Sequence, residues 1–315
     1  MKQLQFELWQ ECNSKCSFCY LGKNNTHTDD KLKEQALDDA LNKISDLSIY
    51  KEYDVLSYLG GEFFQGQLNT PSIKNKFFRL MEKTAQLYNE GVVRQVWIYA
   101  TMTIGKCEDL YEVLKLFKDK SNLWILTSFD TLGRFHTKKM FDTWDGHIKS
   151  IVSLYPQIHF NITSILSEDF IQKYIQGQID FEKMKKAYNA SFFFKQCGSF
   201  LHGNNYKQET NKIVGNFYPH RSTFLKFLAL FRKRESLEMW DKLFNIYYRA
   251  DTLYRNFNDS ENRMQLNERH KGVNKEYDIG VSFNKCGHLM DYAAYIDSDA
   301  CVICDKHLIE KMENK

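Results

Sequence analysis

Short apolar strands alternate with amphipathic helices from residue 4 to residue 197, and this alternation restricts the fold of the 315-residue chain more than any other feature. Leu4, Phe6 and Leu8 alternate with Gln5 and Glu7, the two-residue period of a strand. From 32 to 47 apolar residues recur at 32, 36, 37, 40, 41, 44 and 47, one face of a helix. A second strand over 53–59 ends in Gly60-Gly61-Glu62. A helix near 73–89 follows, closed by Gly91, and a strand over 92–100 runs into Thr101. Helix 109–118, strand 123–129, helix 138–155 and strand 158–165 continue the series, and a sixth strand over 191–197 follows two short helices. Such units with short connections predict parallel strands, because right-handed crossovers stack each helix on the same face. The expected fold is α/β: a partial (β/α)6 TIM-like barrel over residues 1–200, with a C-terminal helical and cysteine-rich extension over 201–315. In parallel barrels the chemistry collects at the C-terminal ends of strands. The loop carrying Cys12, the Gly60-Gly61-Glu62 turn, Thr101, Ser128-Phe129-Asp130 and Asn161 all fall at or near such ends.

Composition narrows the class. With 43% apolar and 26% charged residues the chain resembles a globular average and can bury a large core. Three prolines and fifteen glycines exclude collagen-like and proline-rich low-complexity chains. No apolar run approaches the ~18 residues of a membrane span. The opening Met1-Lys2-Gln3-Leu4 has no apolar signal region, so a cytoplasmic protein without a membrane partner is expected. A formal charge of +3 is too slight to announce a nucleic-acid partner.

Eight cysteines in such a chain point to metal or redox chemistry rather than disulfides, since reducing compartments keep thiols reduced. Six fall in two tight groups. The first reads Cys12-Asn13-Ser14-Lys15-Cys16-Ser17-Phe18-Cys19. Three thiolates in eight residues can hold three irons of a cubane and leave the fourth open, as a catalytic zinc keeps one position free. Alternatively they form a zinc knuckle that takes a fourth ligand such as His27.

The chain here resembles the radical S-adenosylmethionine (SAM) superfamily. The resemblance rests on Cys12, Cys16 and Cys19, on Phe18 before the third cysteine with Tyr20 after it, and on Gly60-Gly61-Glu62 closing the second strand. It covers roughly residues 4–200. It implies a 4Fe–4S cluster whose open iron chelates the amino and carboxylate groups of SAM. It further implies that Gly60, Gly61 and Glu62 receive the amino group, that Phe18 lies against the adenine, and that Thr101, Ser128 and Asn161 touch methionine or ribose. The implied reaction is reductive cleavage of SAM to a 5′-deoxyadenosyl radical that abstracts a substrate hydrogen, with flavodoxin or ferredoxin as reductant. Phe63 stands where many relatives have proline, and Met102 where the third-strand motif has asparagine.

The second group reads Cys286-Gly287-His288, then Asp299-Ala300-Cys301-Val302-Ile303-Cys304, with His307 beyond. It resembles the SPASM and twitch extensions of radical SAM enzymes, which implies an auxiliary cluster on Cys286, Cys301 and Cys304 with Cys197 as a further thiolate. Asp299 replaces the glycine of that framework. Zinc on the same cysteines with His288 or His307, or free thiols, are the other readings. Cys107 reads as a buried thiol. The basic–aromatic stretch 226–234 reads as a helix whose aromatics are core and whose charges are solvated. Asp130 and Asp291 are carboxylates that an acid–base role would require to be suitably placed.

The resemblance to SPASM and twitch proteins implies a peptide or protein side chain as substrate. A small molecule or nucleotide is the alternative within the superfamily, and a non-catalytic zinc-stabilised binding module the alternative outside it.

Overall fold

The computed structural model describes residues 3–9, 11–14, 16, 28–131, 134–135, 137–196, 221–236, 239, 282–283 and 289–290. Of the residues singled out above, Phe18, Cys19, Tyr20, His27, Cys197, Cys286, His288, Asp291, Asp299, Cys301, Cys304 and His307 lie outside the described residues.

Six strands form one sheet in the order β1 to β6, the order in which they occur along the chain. They are β1 (Gln3–Glu7), β2 (Val55–Leu59), β3 (Gln95–Tyr99), β4 (Leu123–Ser128), β5 (His159–Leu166) and β6 (Ala190–Gln196). The β1–β2, β2–β3, β3–β4 and β4–β5 pairs are all parallel. The helices between them are α1 (Asp30–Ser45), α2 (Pro71–Asn89), α3 (Glu108–Lys115) and α4 (Lys138–Leu154). Because strand order follows chain order, right-handed crossovers all step the same way and place α1 to α4 on one face. A doubly wound sheet reverses direction and covers both faces; this one does not. The architecture is a partial (β/α)6 barrel, open between β1 and β6.

Local chemistry sets the helix ends. Asp29 and Thr137 cap α1 and α4 by accepting from Lys31 N and Met140 N. Pro71 opens α2 at a position where its missing N–H costs nothing. Gly91, at φ 73°, turns the chain after that helix.

Two side-chain hydrogen bonds define which face of the sheet meets the helices. Tyr58 Oη and Thr84 Oγ1 of α2 lie 2.5 Å apart, and Trp144 Nε1 of α4 donates to Thr127 Oγ1 at 3.0 Å. Leu56, Tyr58, Val96, Ile98, Leu123, Ile125, Phe160 and Ile162 share that face by period and register, and all are buried. The intervening residues point into the barrel.

The chain divides into two compact units, residues 1–163 with 183–192, and 164–182 with 193–315. In the second, α5 (Glu168–Ile175) packs on α7 (Arg221–Arg234). Tyr174 of α5 meets Phe227 and Phe231 of α7 with ring centroids 5.1 and 5.6 Å apart, and its hydroxyl donates to Glu235 Oε1 at 2.7 Å. Lys226, Arg232, Lys233 and Arg234 are exposed while Phe227, Leu228 and Phe231 are buried, so this basic–aromatic stretch is an amphipathic helix. The remaining helix α6 (Phe181–Tyr188) precedes β6, and β7 (Ser282–Phe283) pairs antiparallel with β8 (Leu289–Met290). Among the described residues no helix is long and apolar enough to cross a membrane.

Candidate active site at the strand ends

The chain does not leave the sheet where β1 ends. Leu8 N donates to Leu59 O at 3.1 Å, Gly61 N to Trp9 O at 2.9 Å and Glu62 N to Glu11 O at 2.9 Å. The segment before Cys12 is thereby laid alongside the turn after β2. Two side chains tighten the splice: Trp9 Nε1 donates to Glu62 O at 2.8 Å, and Asn13 Nδ2 donates to Gln65 O. Helix α1 holds the same segment from behind. Lys33 Nζ, nearly fully buried, sits 2.7 Å from Glu11 Oε2 and 5.8 Å above the Trp9 ring, while Thr28 N donates to Glu11 Oε2 at 3.2 Å.

Gly60 is glycine for a reason internal to this splice. A Cβ there would lie 2.5 Å from Trp9 O and 2.9 Å from the Phe63 ring. Phe63 is fully buried, edge-on to Trp9 with centroids 5.0 Å apart and 5.7 Å from Phe77. It is the wedge on which the turn rests, which gives the aromatic residue a structural purpose at this position. Gly60→Ala is expected to lower stability by about 2–3 kcal/mol through overpacking, read as a thermal midpoint lower by several degrees; an unchanged midpoint would mean that Trp9 O does not occupy that space.

Glu62 is 2% exposed and its carboxylate is crowded with donors. Oε1 accepts from Phe63 N and Phe64 N, both at 2.9 Å. Oε2 accepts from Gln65 Nε2 at 3.1 Å, from Thr101 N at 2.5 Å, and from the Thr101 hydroxyl. The end of β3 is thus tied to the end of β2 through one carboxylate. The chain of contacts continues: Thr103 Oγ1 donates to Gln65 Oε1 at 3.3 Å and lies 3.4 Å from Ser14 Oγ, and Ser14 N donates to Cys12 Sγ at 3.3 Å. Between Thr101 and Thr103, Met102 is fully buried with φ 55°, a left-handed conformation uncommon for its type and sustained by the packing around it.

Cys12 and Cys16 are half-buried. Burial pushes the Cys12 thiol above its ordinary range and the Glu62 charge adds to this, while the Ser14 N–H and the Arg134 cation oppose it. Arg134 gave no sign of itself in the sequence. Its Nε lies 3.2 Å from Asp130 Oδ2 just after β4, and both side chains are largely buried. Burial by itself would weaken Arg134's hold on its proton; the Cys16 sulfur, Asp130 and the Cys12 sulfur more than reverse that and raise it. Asp130, a candidate acid or base from sequence, is therefore engaged by this cation. Cys107 is buried, with its thiol pushed up to about 12 by burial and by the Glu62 and Asp109 charges.

Ser128 ends β4 and is in register with Thr163, whereas Asn161 pairs with Leu126 two residues deeper. At ~3.3 Å per residue Asn161 lies roughly 6–7 Å below the Ser128 level. The structure thus joins Cys12, Glu62 and Thr101 in one hydrogen-bonded network, sets Ser128 at a strand end, and places Asn161 inside the barrel. Among the described residues no three His, Cys, Asp or Glu side chains converge on a metal position.

No protein-family model matches the chain, and no curated protein does. Among solved structures it is similar to SuiB of Streptococcus suis bound to S-adenosylmethionine, with a TM-score of 0.48, 14% identity and 75% of this chain covered. A second SuiB crystal structure gives a TM-score of 0.43 at 14% identity, again over 75% of this chain. These matches span 48% and 47% of the SuiB chains, so the chain corresponds to about half their length.

Proposed function

We propose that this chain is a radical SAM enzyme in which Cys12, Cys16 and Cys19 hold a 4Fe–4S cluster and the turn after β2 binds SAM beside it. The observation that carries the reading is the splice between the Cys12 segment and Gly60-Gly61-Glu62. The segment leading into Cys12 is locked to the turn after β2 by backbone hydrogen bonds from Leu8, Gly61 and Glu62 to residues 51 or 52 positions away, which supports the juxtaposition a shared ligand requires. The donor set suits a thiolate-held cluster: Cys12 and Cys16 lie half-buried at the strand ends, and the Arg134 cation offsets the charge that thiolates bring. When bound, the cluster supplies the electron for reductive cleavage of the sulfonium.

The chain's own residues divide the remaining tasks. Glu62 Oε1 stays anchored on two backbone N–H groups. Oε2 holds donors from Gln65 and Thr101, the ones an incoming ammonium would replace. Thr101 and Ser128 offer hydroxyls at adjacent strand ends for the polar groups of the bound nucleoside. The barrel wall limits access of water to a reactive intermediate. The substrate in this reading is a peptide or protein side chain, the electron donor is a flavodoxin or ferredoxin, the compartment is the cytoplasm, and Cys197, Cys286, Cys301 and Cys304 carry an auxiliary iron–sulfur cluster.

Anaerobically purified protein is expected to be brown, to bind SAM, and to release 5′-deoxyadenosine after dithionite reduction, measured by mass spectrometry. Colourless protein with stoichiometric zinc would replace the enzyme by a zinc-stabilised binding module. Replacing Cys286, Cys301 and Cys304 by Ala is expected to remove the auxiliary iron, about four per chain for a cubane; iron unchanged by that variant overturns the auxiliary cluster alone.

A further inference from the structure

The inward face of β1–β5 is not built like a packed barrel core. Such cores are filled by layers of branched aliphatic side chains, mostly Val, Ile and Leu. Here one inward level, read across the register, is Ser57, Trp97, Trp124 and His159. Two residues higher it is Leu59, Tyr99, Leu126 and Asn161. The rings of the lower level form a continuous row. Trp124 and His159 are stacked with centroids 4.9 Å apart and an interplanar angle of 26°, and Trp97 follows at 6.4 Å and 51°. All three are half-buried, so their faces belong neither to a close-packed core nor to open solvent.

Three polar atoms on this face are buried without a hydrogen-bond partner: Ser57 Oγ, the Trp124 Nε1 donor and the Asn161 Oδ1 acceptor. Buried polar groups are ordinarily satisfied, so each marks a place where a partner of opposite type belongs. Burial also raises the Tyr99 phenol above its usual range, which speaks for a sheltered surface. Charge is scarce. Among the inward positions of the described β1–β5 strands, Glu7 on the edge strand is the one carboxylate and no Lys or Arg occurs. A charged ligand group on the ring row would face no counter-charge. Thr101 lies four residues beyond Trp97, or about 13 Å at ~3.3 Å per residue, with the level of Tyr99, Leu126 and Asn161 between them.

We propose that the Trp97–Trp124–His159 row is the substrate-recognition subsite and takes an uncharged aromatic side chain bearing a polar hydrogen, the phenol or indole of a peptide residue. This deepens the proposed function and rests on it for the position of the reacting atoms near Thr101. The ring stacks on the row. Its N–H or O–H meets Asn161 Oδ1, and its oxygen or π-face accepts from Trp124 Nε1.

The probe is N-acetyl-L-tyrosinamide, titrated into the anaerobic full-length protein with SAM present and followed by ligand-detected NMR. Saturable binding is expected, weakened about tenfold by Trp124→Leu and about threefold by Trp124→Phe, which keeps the ring and loses the donor. Circular dichroism and SAM affinity confirm that the variants are folded. N-acetyl-L-leucinamide binding as tightly would overturn the ring requirement, and N-acetyl-L-argininamide binding more tightly would overturn the uncharged one. Absence of saturable binding, with Trp97 and Trp124 shielded from acrylamide quenching, would put the chain's own residues on this face and overturn the subsite. The two levels separate cleanly. 5′-Deoxyadenosine formation without probe binding sinks the subsite alone, whereas probe binding by a protein that makes no 5′-deoxyadenosine overturns the enzyme and leaves the subsite standing.

Discussion

Replacing Cys12, Cys16 and Cys19 together by Ala is expected to remove about four irons per chain and to abolish 5′-deoxyadenosine formation, while the far-ultraviolet circular dichroism stays that of the wild type. Loss of the metal should be separable from loss of the fold, because the segment before Cys12 is held by main-chain bonds. Leu8 N to Leu59 O, Gly61 N to Trp9 O and Glu62 N to Glu11 O survive any change of the cysteine side chains. The buried Lys33–Glu11 pair survives as well. Among the described contacts the variant gives up the weak hydrogen bond from Ser14 N–H to Cys12 Sγ and the pull of the Cys12 and Cys16 sulfurs on Arg134. Iron retained by this variant would remove the cluster assignment. Iron lost with 5′-deoxyadenosine still produced would separate SAM cleavage from these cysteines.

Glu62→Gln should damage both stability and SAM binding, even though the side chain keeps its shape. Five donors converge on the two carboxylate oxygens. An amide offers one acceptor oxygen and presents an NH2 group to the other cluster of donors. Whichever way it turns, at least two N–H or O–H groups lose their acceptor at a site that is 2% exposed. At about 1–3 kcal/mol per buried unsatisfied group, the expected loss is about 3 kcal/mol in folding free energy. SAM affinity is expected to fall at least about tenfold, the weight of one charge-assisted hydrogen bond. Visible absorbance near ~400 nm should persist, since the cysteine thiolates that hold the cluster are untouched. A variant that binds SAM as tightly as the wild type would show that the carboxylate serves the turn and not the ligand. One that also keeps its thermal midpoint would show that the donor network around Glu62 is redundant.

Much of this was legible along the chain, and for identifiable reasons. Strand and helix positions followed the two- and 3.6-residue periods closely: β4 falls at Leu123–Ser128 and α4 at Lys138–Leu154, within a residue of the expectation. β3 begins at Gln95 rather than 92, because Gly91 and the residues after it turn the chain into the sheet. Gly60-Gly61-Glu62 stood out as a turn closing the second strand, and it follows directly on β2. That Gly60 is required by the Trp9 carbonyl could not be seen, because the contact joins residues 51 apart. Arg134 was invisible for the same reason: an arginine after a strand has no pattern, and its meaning comes from the sulfurs and carboxylate that tertiary packing brings beside it. Asn161 carried a strand-end expectation, and register with Leu126 sets it two residues deeper.

Periodicity and spacing, both local properties of the covalent chain, determined the parallel α/β architecture, the strand-end location of the Gly60-Gly61-Glu62 turn and the sulfur-rich character of the N-terminal loop. Which glycine is crowded by its own backbone, which donors meet each oxygen of Glu62, and which rings line the barrel interior were decided only by folding. Hydrogen bonds, burial and stacking depend on through-space distances between residues tens of positions apart, and no pattern along the chain encodes those distances.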